Sequence, residues 1–283
     1  MARLLLLSIL LHSGAGSTSR LTLEILRPAP SLASGGAVPH GETAVLVRLA
    51  LDDGEQSRLY SDLCSAALGS YEWGRLSSEE DHPPDRPWPL CVWRHPFTDE
   101  TNANAEPVPV FGWAQSLARR AADQLRDGGS LAPDEAVALG SELSAVEYDS
   151  LVSLLYRDGG SLQRHVDRGL DGLGIAVSLG AACTFEYGGG HVKLRSGDAL
   201  FAPFGHVPHQ VVLTHAAASA PDWWRAIPGQ PGQGGGSGVA SSSTHFGRVR
   251  CSLQLRDASL CRAQKGLVRD AAAQRARAAA ARL

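Results

Sequence analysis

The chain has 283 residues, 43% hydrophobic and 19% charged, with a formal charge of −3 and a pI of about 6.4. A chain of this length can bury a sizeable core in one large domain or two small ones, and its mild acidity sets no demand for a nucleic-acid or membrane partner. Five scattered cysteines with no C-x-x-C pair exclude a disulfide framework and a cysteine-based zinc site, and no apolar run reaches the ~20 residues that a membrane span requires.

Residues 1–34 read as leader and linker. Arg3 precedes an apolar run at 4–11 and then small and polar residues, which resembles a short signal peptide or an organelle-targeting leader. An intracellular or organellar location is the expectation. The main domain is expected over 35–262. It opens with TAVLVRLA at 43–50, β-branched and apolar, a predicted strand. Asp52 or Asp53 can cap the helix that follows, with Glu55 and Gln56 as capping-box partners. Leu59, Leu63 and Ala67 mark one face of that helix, which ends at Gly69. Residues 71–109 are rich in Pro, Trp and charge and read as a long irregular surface segment containing Trp73, Trp88 and Trp93. A second amphipathic helix is predicted over 113–126, with Leu117, Ala121 and Leu125 on one face and Gly128 and Gly129 as its stop.

From Tyr148 onward the pattern changes to short β runs separated by glycines. Strands are predicted near 150–156, 161–166, 174–180, 182–187, 191–195, 198–204, 208–213 and 248–256. Many short strands with regular turns indicate a β-sandwich or jelly roll. Within this run, 214–246 is an Ala/Gly/Ser/Pro stretch expected to form a flexible insertion, apart from Trp223 and Trp224, which can dock on the domain. Residues 263–283 form an Ala/Arg-rich tail.

The chemistry centres on His165-Val166-Asp167. On a strand, residues i and i+2 point to one side, so an imidazole and a carboxylate converge while Val166 turns away. A distal histidine completes a 2-His-1-carboxylate triad, which holds a metal ion on one face and leaves open positions, the pattern of non-haem Fe(II) oxygenases. His209, in the strand-like context HQVV, is the favoured third ligand. His206, beside Gly205 and Pro208, is the alternative, and His215 and His245 rank below both. A second signal lies in RVRCSLQLR at 248–256, where Val249, Cys251, Leu253 and Leu255 share one face and Arg248, Arg250, Ser252, Gln254 and Arg256 the other. That polar face is either solvated or lines a barrel interior. In the second case Arg250 and Arg256 can receive the carboxylates of a dicarboxylic cosubstrate, since a guanidinium pairs bidentately with a carboxylate and stays charged when desolvated.

The segments YDSLVSLLYRDGGSLQRHVD (148–167), VSLG (177–180), FEYGG (185–189), Gly197-Asp198, His209-Gln210-Val211 and RCSLQLR (250–256) follow one another in the order and near the spacing of the AlkB-like Fe(II)/2-oxoglutarate dioxygenases. The element Pro107-Val108-Pro109 before a helix also resembles that family. The resemblance spans roughly 43–258. It implies an α+β fold: a double-stranded β-helix (jelly roll, cupin-like) with N-terminal helices packed on one sheet. It implies His165, Asp167 and His209 as iron ligands and 2-oxoglutarate as cosubstrate. Arg250 would hold the distal carboxylate with the help of Tyr156, Arg256 would lie near the metal-chelating end, and Ser252 would stand where members often carry Asn. O2 and an unidentified organic substrate are the remaining reactants. Leu154 and Gly169 depart from the pattern of the nucleic-acid demethylases. Demethylation of alkylated nucleic acid is therefore an alternative that is not favoured, and a jelly-roll binding module without catalysis is a second alternative.

Overall fold

The computed structural model describes residues 7–8, 20–29, 42–68, 87–93, 110–129, 131–167, 170–227 and 248–257. Among the described residues, twelve strands and four α-helices run in the order β1 (Leu7–Ser8), β2 (Thr22–Leu26), β3 (Ala44–Arg48), α1 (Asp53–Leu68), β4 (Trp88–Trp93), α2 (Val110–Asp127), α3 (Pro133–Ala145), β5 (Ser150–Tyr156), β6 (Leu162–His165), β7 (Gly174–Gly180), β8 (Cys183–Tyr187), β9 (Gly190–Leu194), β10 (Ala199–Ala202), β11 (His209–Thr214), α4 (Asp222–Arg225) and β12 (Arg250–Arg256). They form an eight-stranded sheet, β1-β2-β3-β10-β7-β12-β5-β4, and a four-stranded sheet, β6-β11-β8-β9. Every pairing is antiparallel. The two sheets face each other as a double-stranded β-helix.

Strand alternation divides the apolar residues into two cores. Leu46, Tyr156 and Leu200 of the large sheet meet Cys183, Phe185, Tyr187, Leu194 and Val211 of the small sheet in the interior. The opposite face of the large sheet, including Val45, Val177, Phe201, Cys251, Leu253 and Leu255, packs against Leu59, Leu63, Leu117, Leu139 and Leu143 of the helices. The alternation in β12 therefore places Arg250, Ser252 and Arg256 on the interior side, where they are 2%, 4% and 4% exposed. The solvated reading of that polar face is thereby set aside.

The helices follow from local chemistry. Asp52 Oδ1 accepts the Glu55 N–H at 2.8 Å and the Asp52 N–H donates to Glu55 Oε2 at 2.9 Å, a reciprocal capping box at the start of α1. In α2 the buried face is Val110, Ala114, Leu117, Ala118, Ala121, Ala122 and Leu125. Its small residues let α3 come close: a Cβ on Gly140 would sit 3.3 Å from the Ala122 carbonyl oxygen. Among the described residues no helix is long and apolar enough to cross a membrane.

Three expectations about organisation are corrected. The leader-and-linker reading of 1–34 fails at β2, which pairs with β3 over the register Thr22↔Arg48 to Leu26↔Ala44. Its buried Glu24 disguises the strand as a polar segment, but Arg48 donates to both Glu24 oxygens at 2.8 and 2.9 Å. The irregular segment 71–109 contains the edge strand β4, where Pro89 is tolerated beside a register shift. The insertion 214–246 is ordered over its first part: Trp224 is buried, 4.7 Å from the Tyr60 ring, and packs so tightly on Gly180 (φ +82°) that a Cβ there would lie 2.8 Å from the indole. The rest of the insertion, the tail 263–283, Trp73, His245, Gly169 and Pro107 to Pro109 lie outside the described residues.

Candidate metal centre

Register sets the two ends of the barrel. At one end lie Ala44, Ala202, Gly174, Arg256, His165 and Gly190; at the other lie Arg48, Ala199, Gly180, Tyr156, Arg250 and Leu194. His165 closes β6 and His209 opens β11, directly opposite each other in the ladder. Asp167 follows two residues after His165, just beyond the strand end, where its N–H donates to the Phe204 carbonyl at 2.9 Å.

His165, Asp167 and His209 thus meet, each offering one ligand atom within 4.8 Å of the others. The geometry also fixes which atoms are available. The Nδ1–H of His165 donates to the Gln163 carbonyl at 2.7 Å, and that of His209 to the Val207 carbonyl at 3.0 Å. Both rings therefore turn Nε2 toward the common point, 3.5 and 3.9 Å from Asp167 Oδ1. The other carboxylate oxygen, Oδ2, is taken by Arg256, whose Nε and Nη2 donate at 3.0 and 2.7 Å. Arg256 Nη1 is held by the carbonyls of Ile175 and Leu255. Asp167 consequently presents one oxygen, and a bound ion would keep several positions for exogenous ligands. His165 is about one-third exposed and His209 almost buried, 34% and 6% by side chain, so the centre opens to solvent past His165.

Protonation follows from surroundings. Burial works against an ionised Asp167, but Arg256 and the two histidines outweigh it and hold the carboxyl well below the usual carboxylate range. Burial pushes the His209 imidazole down to about 4. The hydrogen bond to Asp167 raises His165 above its ordinary value. Asp167 is thus ionised and His209 neutral at neutral pH, the forms a metal requires.

Farther inside, Arg250 stands opposite Tyr156 in the ladder, its guanidinium 4.8 Å from the Tyr156 ring centroid. Nη2 donates to Ser178 Oγ at 3.1 Å, while Nε, Nη1 and the Tyr156 hydroxyl are buried without a hydrogen-bond partner. Among the described residues no carboxylate pairs with this buried cation, and a buried guanidinium beside an unpaired phenol leaves donors that an anion can satisfy. Ser252 is buried between Arg250 and Arg256 on the same face of β12.

Of the alternative histidines, His206 is 45% exposed and faces Asp171, and His215 bonds Thr184 Oγ1 at 3.0 Å. Neither joins the triad. Sequence reasoning missed Ser178 and Phe204. A lone serine in the apolar run GIAVSLG was the available signal for Ser178; a phenylalanine between strands carries no signal of its role.

No family model matches the sequence, and no curated protein matches it. Among solved structures the chain is similar to a 2OG-Fe(II) oxygenase family oxidoreductase from Burkholderia pseudomallei, with a TM-score of 0.36, 11% identity, and 77% of this chain and 85% of that one covered. It is similar to a prolyl-4-hydroxylase from Pseudomonas putida, with a TM-score of 0.34, 15% identity, and 77% and 93% covered. It is also similar to a predicted oxalate decarboxylase from Thermotoga maritima, with a TM-score of 0.25 and 14% identity over 38% of this chain; the chain spans 66% of that protein.

Proposed function

We propose that this chain is an Fe(II)- and 2-oxoglutarate-dependent dioxygenase that hydroxylates or oxidatively demethylates an organic substrate. The observation that carries the reading is the convergence of two Nε2 atoms and a single Asp167 oxygen on one point, with the second oxygen held away by Arg256. Two histidines and one carboxylate on one face of an ion are the donor set of non-haem Fe(II) oxygenases. The unpaired Nε and Nη1 of Arg250 and the unpaired Tyr156 hydroxyl support a carboxylate-bearing cosubstrate, and they fit the distal end of 2-oxoglutarate. When bound, iron and 2-oxoglutarate together supply the oxidising power, converting O2 into an oxidant for a C–H bond with release of succinate and CO2.

The chain's own residues do the rest. His165 and His209 are locked by their carbonyl partners in the tautomer that binds metal. Arg256 keeps Asp167 ionised and offering one oxygen. Arg250 neutralises and orients the cosubstrate anion, helped by Tyr156 and Ser178. The apolar interior around them, with Phe185, Leu200, Phe204 and Val211, excludes water and strengthens these polar contacts.

The test is succinate release from 2-oxoglutarate by anaerobically Fe(II)-loaded protein, screened against methylated oligonucleotides, peptides and metabolite pools. His165→Ala and Asp167→Asn are expected to abolish turnover. Full activity in either variant, or failure of the wild type to bind Fe(II), overturns the assignment and leaves a binding module.

A further inference from the structure

Phe204 touches His209, Asp167 and Arg256 without offering a ligand atom. It leaves β10 toward β11 and is 1% exposed. Its ring meets His209 at a centroid distance of 4.8 Å and an interplanar angle of 63°. The Arg256 guanidinium lies over the same ring at 4.4 Å. Its carbonyl accepts the Asp167 N–H at 2.9 Å. The approach is close because Gly205 follows: a Cβ there would lie 2.0 Å from the Leu170 carbonyl oxygen, in the turn after Asp167.

We propose that Phe204 is a positioning residue of this centre: its face holds Arg256 on Asp167 Oδ2, so that the metal receives one carboxylate oxygen, and its side fixes the tilt of the His209 ring. The inference rests on the triad being a metal site and adds what fixes the placement of its donor atoms. A guanidinium rests favourably on the electron-rich face of an aromatic ring, and that attraction grows when water is excluded. Arg256 has every nitrogen engaged, on Asp167 and on the carbonyls of Ile175 and Leu255. Its geometry is therefore held on one side by hydrogen bonds and on the other by the ring. Without the ring, Arg256 and the His209 imidazole are free to shift, and the donor atoms of Asp167 and His209 are no longer held on the common point.

Cobalt(II) is the probe, because its visible bands report coordination geometry without turnover. Wild-type protein is expected to bind one Co(II) with the weak bands of a six-coordinate ion. Phe204→Leu keeps the apolar volume but not the ring, and should bind Co(II) roughly tenfold to a hundredfold more weakly, with altered bands. Phe201→Leu is the packing control: Phe201 is fully buried in β10 but faces the helices. It should lower thermal stability and leave the cobalt spectrum unchanged. If Phe204→Leu does not fold, Phe204→Met, which fills irregular space well, carries the same comparison. An unchanged affinity and spectrum in the Phe204 variant, or the same change in Phe201→Leu, overturns the proposal. A wild type that takes up no Co(II) overturns the metal reading as well, so the two failures are distinguishable.

Discussion

Arg250→Met separates what this arginine does for ligand from what it costs the fold. In the ligand-free protein two of its buried nitrogens are unpaired, and each unsatisfied buried donor costs about 1–3 kcal/mol. Relieving both is worth roughly 4 kcal/mol. Against this stand the bond to Ser178, about 1.5–3 kcal/mol for a charged donor, and the contact with the Tyr156 face, about 1 kcal/mol. Methionine replaces most of the packing volume. The balance is about 1 kcal/mol in favour of the variant, which corresponds to a Tm higher by about 2–4 °C for a domain of this size. The order reverses with ligand. At about a hundred times its Kd, 2-oxoglutarate with Co(II) should stabilise the wild type by about 2.7 kcal/mol and the variant hardly at all. Thermal unfolding of both proteins, with and without 2-oxoglutarate, checks this. A variant that is less stable than wild type without ligand, or that 2-oxoglutarate still stabilises, would refute the reading of Arg250 as a waiting anion receptor.

His209 gives the metal-free protein a pH dependence. Its folded pKa is pushed down to about 4 from an unfolded value near 6.5, so its contribution is complete above pH 6.5 and is lost as pH falls toward 4, about 3 kcal/mol in all. Urea unfolding of chelator-treated protein between pH 7.5 and 4 should show this loss in wild type and much less of it in His209→Gln; parallel curves sink the claim. His165, shifted upward by Asp167, works in the opposite direction in both proteins. Gly205→Ala should cost about 3 kcal/mol, because a Cβ at 2.0 Å from the Leu170 carbonyl forces backbone apart. The same substitution should weaken Co(II) binding, since that turn carries Asp167; isothermal titration with Co(II) and a denaturant curve test both halves.

The β-helix and the meeting of the triad were legible for different reasons. Glycine-separated β runs after Tyr148 map onto β5 to β12 within a residue or two, because strand alternation and turn glycines are local properties. His209 was separable from His206 because a strand context fixes where a ring points and a turn does not. The role of β12 was not decidable from its pattern alone: a polar face on a strand reads the same whether it meets water or a barrel interior, and only the opposing sheet distinguishes them. β2 and β4 were hidden by a buried glutamate and an edge proline, each acceptable only through partners distant in the chain, Arg48 for one and an unpaired sheet edge for the other. α3 was missed because its apolar spacing is weak, although Pro133, Asp134 and Glu135 mark its first turn. Ala132 provides no side-chain cap, and the helix begins on Pro133. Phe204 was invisible in principle, since its importance lies wholly in what three other segments bring to it.

Trp224 on Gly180 has a practical corollary. Gly180 stands opposite Arg250, and Ala181 donates to the Val249 carbonyl at 2.8 Å, so the chain departs after Ile227 and returns at Arg248 close to the pole of the barrel away from His165. The two described ends, Ile227 and Arg248, are therefore a place between which to splice a reporter domain or an affinity handle, tethered behind an indole anchor, while the pole that carries His165, Asp167 and His209 keeps its shape.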